Sequence, residues 1–150
     1  MLKIKIKKVH QDAIIPNYAH DGDAGMDLYS IEDKILNPGQ VLNIKTGIKI
    51  EMEKGYEMQI RPKSGIALKN NVTLPNTPGT VDSGYRGEIV VIMVNNGKKI
   101  YEIKKGQKIA QAVFNKIEEV KFVEVDELSE TSRGEGGFGS TGLGKIGYSK

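Results

Sequence analysis

The densest run of chemistry-bearing residues is Asn76-Thr-Pro-Gly-Thr-Val-Asp-Ser-Gly-Tyr-Arg-Gly-Glu88. Gly79, with Pro78 before it, allows a tight hairpin whose backbone can approach a flat base closely. Asp82 is expected at the start of a strand, where its carboxylate is held rigidly and can orient a water. Tyr85 follows three residues later, within reach of a sugar ring. A hairpin with a structural Asx turn would use some of the same residue types. It would not call for so many of them together.

Three further segments carry candidate site groups. In Arg61-Pro-Lys-Ser-Gly-Ile-Ala67 a cation, a hydroxyl and a glycine open a short helix, with Ser64 as its expected N-cap. Amide N–H groups and the helix dipole there favour phosphate; an ordinary capped helix with Lys63 in solvent is the alternative. Ala24-Gly-Met-Asp-Leu28 sets Asp27 between apolar neighbours after a Gly-rich turn, and taken alone it reads as a turn aspartate capping backbone amides. Arg133-Gly-Glu-Gly-Gly-Phe-Gly-Ser-Thr-Gly142 combines a guanidinium, an aromatic plate and two hydroxyls on a flexible backbone. Phe138 can stack on a base while Arg133, Ser140 and Thr141 hold phosphates. The spacing from Gly139 to Gly144-Lys145 imitates a phosphate-binding loop. Ile146 replaces the required Ser or Thr, and no apolar strand precedes it.

The elements that must position these groups are strands. Lys3-Ile-Lys-Ile-Lys7 alternates strictly, and residues 43–50 and 56–60 alternate more loosely. Residues 88–94 form a nearly continuous apolar run, as in a strand buried on both faces. Residues 107–114 and 121–125 add two more strands, and turn signals at Asn37-Pro-Gly39, Glu53-Lys-Gly55, Asn95-Asn-Gly97 and Lys104-Lys-Gly106 separate them. Many short strands predict an all-β sandwich or barrel-like jelly roll with one short helix. Residues 1–128 are expected to form that domain. Residues 129–150, rich in Gly and Ser, read as a flexible tail or, because Phe138 stands alone among glycines, as an arm that orders over a ligand.

Composition excludes several classes. A chain of 150 residues suits one domain, able to bury roughly 68–70% of its unfolded surface. The absence of cysteine removes disulfides and thiolate metal sites and points to a reducing cytoplasm. No stretch approaches the ~18 apolar residues of a membrane span, and the start lacks a secretion signal. Net charge is +3, with lysines scattered along strands rather than clustered as a nucleic-acid binder requires. The three arginines, Arg61, Arg86 and Arg133, stand beside Gly, Pro or Ser and are expected outside the strands, where a planar fork can grip phosphate oxygens.

Together the segments resemble the trimeric dUTPase family. Five motifs in order carry the resemblance: Ala24-Gly-Met-Asp-Leu28, Pro62-Lys-Ser-Gly65, residues 79–88, Gly106-Gln-Lys-Ile-Ala-Gln111 and residues 133–142. The resemblance runs from about Ile4 to Gly144. It implies a jelly-roll homotrimer that hydrolyses dUTP to dUMP and pyrophosphate with Mg2+, keeping uracil out of DNA and supplying dUMP for thymidylate synthesis. Its three sites would lie between subunits, each closed by a C-terminal arm. By that analogy Asp82 activates water for attack on the α-phosphorus. Asn76 and the backbone of Gly79, Thr80 and Val81 read the uracil edge, and Tyr85 packs on the deoxyribose. Lys63, Ser64, Gly65 and Gln111 stand at the phosphates. Phe138 stacks over uracil, and Arg133, Gly139, Ser140 and Thr141 close on the triphosphate. Asp27 takes a supporting catalytic role near the metal, which the nucleotide and waters mainly hold.

One position departs from the family pattern, Lys63 where Arg is usual. Charge survives there and bidentate geometry does not; Lys63 acts as a point charge or Arg61 contributes. The related dCTP deaminases place a glutamate on the strand after the Asp-x-Gly turn, and the matching position is Ile92. A non-catalytic β-sandwich binding module would have no use for Asp82, Arg133 and Phe138 in this order.

Overall fold

The computed structural model describes residues 2–142, so Gly144, Lys145 and Ile146 of the loop-like spacing lie outside the described residues. The chain divides into two units, Met1–Glu119 and Val120–Lys150. In the first, short alternating segments become strands β1 (Lys5–Lys8), β2 (Met26–Tyr29), β3 (Lys34–Leu36), β4 (Val41–Lys45), β5 (Ile48–Glu51) and β6 (Tyr56–Pro62). Helix α1 (Ser64–Asn70) follows, then β7 (Val72–Thr73), β8 (Gly79–Asp82), β9 (Val90–Asn95), β10 (Tyr101–Ile103) and β11 (Lys108–Lys116). All pairings are antiparallel. The sheets have the orders β2-β11-β6-β8, β4-β9-β7, β1-β5 and β3-β10. Their inward side chains, among them Leu28, Ile44, Met58, Val91, Ile103 and Ile109, form one buried cluster. No helix among the described residues is long and apolar enough to cross a membrane.

Four local expectations need correction. Residues 43–50 are not one strand, because Gly47 turns the chain at φ 71°. A side chain there would come within 2.9 Å of Ala13 and 3.0 Å of His10, so the corner requires glycine. The apolar run 88–94 enters the sheet only at Val90, and Ile92 is 37% exposed, so the strand is not buried on both faces. Arg61 lies within β6 rather than outside the strands. Residues 121–125 form no strand; they belong to the second unit, where no neighbouring strand offers the ladder that a strand needs.

The Asn95-Asn-Gly97 turn does more than reverse the chain. Asn95 is fully buried, and its Nδ2 donates to the carbonyls of Leu36 (2.9 Å) and Lys99 (2.8 Å). Its Oδ1 accepts from the Gly97 amide at 2.8 Å. At Gly97 a methyl group would meet the Asn70 carbonyl oxygen at 2.5 Å, so the turn presses directly on the end of α1. Asn71 closes that helix in the left-handed conformation, φ 54°, and its Nδ2 donates to the Asn96 carbonyl at 2.9 Å. Asn95 thereby anchors the segment that carries the second motif. Asn95→Leu strands two carbonyls and an amide in the interior and is expected to cost about 3 kcal/mol. Thermal melting should show a fall of about 10 °C; an unchanged midpoint would refute the anchoring role.

Candidate active site

A cavity of about 430 Å3 opens beside β8 and β9. Strand β8 alternates, with Gly79 and Val81 buried and Thr80 and Asp82 exposed, so the Asp82 carboxylate stands free at the cavity wall. Asp82 ends this strand rather than starting it. The loop before it contains a cis Thr77–Pro78 bond and brings Asn76 close to the backbone of Gly79. A methyl group at Gly79 would lie 3.0 Å from Asn76 Nδ2. Tyr85 lines the same cavity, and its hydroxyl donates to the Glu88 carbonyl at 3.1 Å. Its ring lies over Gly87, where a Cβ would sit 2.1 Å from the Tyr85 oxygen. Only glycine leaves room for that ring.

Two further wall residues bear on the chemistry. Ile92 lines the cavity, an apolar group at the position where a deaminase would need its glutamate. Glu88 also lines it, but its Oε1 accepts from the Gly47 amide at 2.9 Å and so holds the corner between β4 and β5. Neither was singled out by sequence as part of the wall. The apolar run through β9 was the available signal for Ile92.

The second motif lies elsewhere on the same sheet. Asp27 is 3% exposed on β2, and its carboxylate is gripped on both oxygens. Lys63 Nζ donates to Oδ1 at 2.5 Å and Lys108 Nζ donates to Oδ2 at 2.7 Å. Burial alone would raise the Asp27 pKa, but the hydrogen bonds from Lys108 and Lys63 outweigh it and hold the carboxyl below its ordinary 3.8. Asp27 is thus a paired interior ion and not a simple turn cap. Across the sheet it faces Gln111, which in turn faces Arg61, so all three share one face. Gln111 packs against Gly25, where a Cβ would be 3.3 Å away. Arg61 forks onto Gln59 Oε1 at 3.0 and 2.7 Å and makes no bond to Asp27. Lys63 alone therefore supplies the second motif's cation to Asp27. It occupies the N-cap position of α1, making Ser64 the first helical residue and Gly65 the second. Lys108 was missed at the sequence level, although it lies within the fourth motif.

The chain does not bring its two groups of residues together. Asp82 pairs with Glu57 at one end of β6, and Lys63 follows the other end of that strand. Six residues of extended chain separate the two points by about 20 Å. In the second unit, Arg133 Nε donates to the Gly136 carbonyl at 2.8 Å, and the amides of Ser140 and Gly142 bond to Gly137 and Gly139 in successive turns. Phe138 takes a positive φ of 43° there, and Thr141 is exposed. Among the described residues, no three His, Asp or Glu side chains gather as a metal cage.

A family model described as dUTPase matches residues 11–142. A deoxyuridine 5'-triphosphate nucleotidohydrolase of Alkaliphilus metalliredigens is 59% identical over 95% of this chain and 99% of that protein. One of Clostridium tetani is 59% identical over 93% and 96%. Among solved structures, the Staphylococcus bacteriophage 80alpha dUTPase with dUPNHPP superposes with a TM-score of 0.89 at 27% identity, covering 94% of this chain and 99% of that one. A dUTPase variant from phage phi11 of S. aureus, described with a structural Mg(II) ion, has a TM-score of 0.79 at 24% identity, covering 83% and 97%. The fold is the jelly roll that the strand pattern predicts.

The depressed Asp27 pKa makes the fold acid-sensitive. Folding favours the ionised carboxylate, so its stabilisation is complete above the ordinary value of 3.8 and is lost as pH falls through the lower folded value. Asp27→Asn should therefore show a shallower fall in melting temperature than the unmodified chain between about pH 5 and pH 3. Equal slopes would mean that Asp27 is not held in its ionised form by folding.

Proposed function

The chain belongs to the dUTPase family, and from that membership we infer that it hydrolyses dUTP to dUMP and pyrophosphate. The observation that carries the reading is the exposed Asp82 carboxylate in the wall of a cavity shared with Asn76 and Tyr85. Asp82 orients a water and accepts its proton. The water oxygen bonds to the α-phosphorus while the bond from that phosphorus to the bridging oxygen breaks, releasing pyrophosphate. A carboxylate is only a weak general base. Positioning and charge neutralisation must therefore carry most of the rate.

The remaining roles are carried over from the resemblance to the family, motif by motif. Asn76 and the backbone of Gly79, Thr80 and Val81 take the uracil edge. Tyr85, with its ring seated over Gly87, packs on the deoxyribose so that a 2′-hydroxyl is excluded. Lys63, Ser64, Gly65 and Gln111 hold phosphates, and Asp27 supports them. Arg133, Phe138, Gly139, Ser140 and Thr141 close the site from the arm, residues 129–150. The residues fit Mg2+ that arrives with the triphosphate, since Asp27 already gives both oxygens to lysines and Mg2+ keeps several waters. When bound, the ion supplies neutralisation of phosphate charge.

The separation of about 20 Å along β6 is too long for Asp82 and Lys63 of one chain to meet at the same phosphorus. That distance supports sites formed between subunits of a homotrimer. The absence of cysteine supports a cytoplasmic enzyme.

The decisive assay is pyrophosphate release with Mg2+ from dUTP, dTTP, dCTP and UTP, in which only dUTP should be turned over well. Ammonia released from dCTP would favour deamination instead. Asp82→Asn should retain nucleotide binding and lose about 10³-fold in kcat; near-normal turnover would remove Asp82 from its role. Truncation before Ser129 should leave the strands folded and abolish most activity, and a truncated chain that hydrolyses dUTP normally would refute closure by the arm.

A further inference from the structure

We propose that Lys108 is a positioning residue for the phosphate subsite: by occupying one oxygen of the buried Asp27 carboxylate, it leaves positive charge at Lys63 available to a polyphosphate. The inference rests on the dUTP-hydrolysing reading and adds a residue to it. A single carboxylate facing only Lys63 would form a neutral pair with little attraction for an anion. With Lys108 on Oδ2 at 2.7 Å and Lys63 on Oδ1 at 2.5 Å, one carboxylate stands against two ammoniums. The cluster carries one net positive charge. Asp27 also fixes where that charge sits, because its side chain is 5% exposed on a paired strand.

The placement of Lys108 depends on an irregularity in β11. Its register against β2 shifts between Lys108 and Ala110, so Lys108 faces Tyr29 while Ala110 faces Leu28. Ile109 is the extra residue, and it and Ala110 are both fully buried. A bulge of this kind re-aims the side chain that precedes it. In regular pairing Lys108 would lie opposite Ser30, on the other face of the sheet from Asp27. The bulge moves it onto the face of Asp27 and Tyr29. There its ammonium also stands 6.0 Å from the centre of the Tyr29 ring. Among the described residues no other cation does this work, since Arg61 is committed to Gln59. Hydrogen bonding to Asp27 also raises the Lys108 pKa.

The test is calorimetric titration of inorganic pyrophosphate, without Mg2+, into the full chain and its variants. Lys108→Gln keeps a donor for Asp27 but removes the charge, and it should weaken pyrophosphate binding about tenfold at low salt. Lys108→Arg should bind within about threefold of the unmodified chain, because it restores the charge. The double variant Asp27→Asn/Lys108→Gln again has one net positive charge, at Lys63, and should recover most of the lost affinity. A merely structural Lys108 would give a double variant no better than the single one. Unchanged binding in Lys108→Gln, no recovery in the double variant, or no pyrophosphate binding by the unmodified chain would each overturn the proposal. Release of pyrophosphate from dUTP by the unmodified chain reads the family activity separately. An enzyme that hydrolyses dUTP while Lys108→Gln binds pyrophosphate normally would sink only the clamp.

Discussion

Strand β11 is hydrogen-bonded along both edges, to β2 on one side and β6 on the other, and its register sets where the polar groups of this sheet can meet. A paired strand cannot slip by one residue without turning every side chain to the opposite face. Its inward residues Ile109, Ala110 and Ala112 lie in the core, and moving them to solvent would be costly. The apolar side thus locks the polar side. Gln111 is held opposite both Asp27 and Arg61 because its neighbours are held against the interior.

The interior ion at Asp27 shows how such a frame is used. Burying an unpaired carboxylate would be expensive, and a single partner would compensate its charge completely. Two lysines from different segments satisfy both oxygens and leave a surplus positive charge at the surface. Toward Asp27, Lys63 needs no bidentate fork. A bidentate fork matters when one cation must serve a carboxylate or phosphate alone. Here the carboxylate is shared, and a point charge suffices on each oxygen.

The other half of the site obeys a different constraint, close packing around glycine. Gly79 admits Asn76 against its backbone, and Gly87 admits the Tyr85 ring. These contacts lie within a few residues of one another in sequence, so local pattern was enough to group Asn76, Gly79, Asp82 and Tyr85. Lys108 was harder to find. Its partner Asp27 is about eighty residues away, and a lysine in a strand ordinarily reads as a solvated face.

By itself the sequence determined the all-β class, the position of the longer strands β6, β9 and β11 and of several turns, the single short helix, and the order of five motifs that mark the family. Those features follow from local periodicity, from turn chemistry and from residue types that need no distant partner. It misjudged the run at 43–50, the burial of β9 and the strand at 121–125, because each depended on what lay alongside. Only the tertiary structure decided that Asp27 is an interior ion held by two lysines. It also decided that Ile92 faces the cavity and that Lys63 and Asp82 lie at opposite ends of β6. The physical reason is the same in each case. Burial, charge pairing and register are properties of neighbours brought together by the fold, and a bulge of one residue is enough to choose which neighbour a side chain meets.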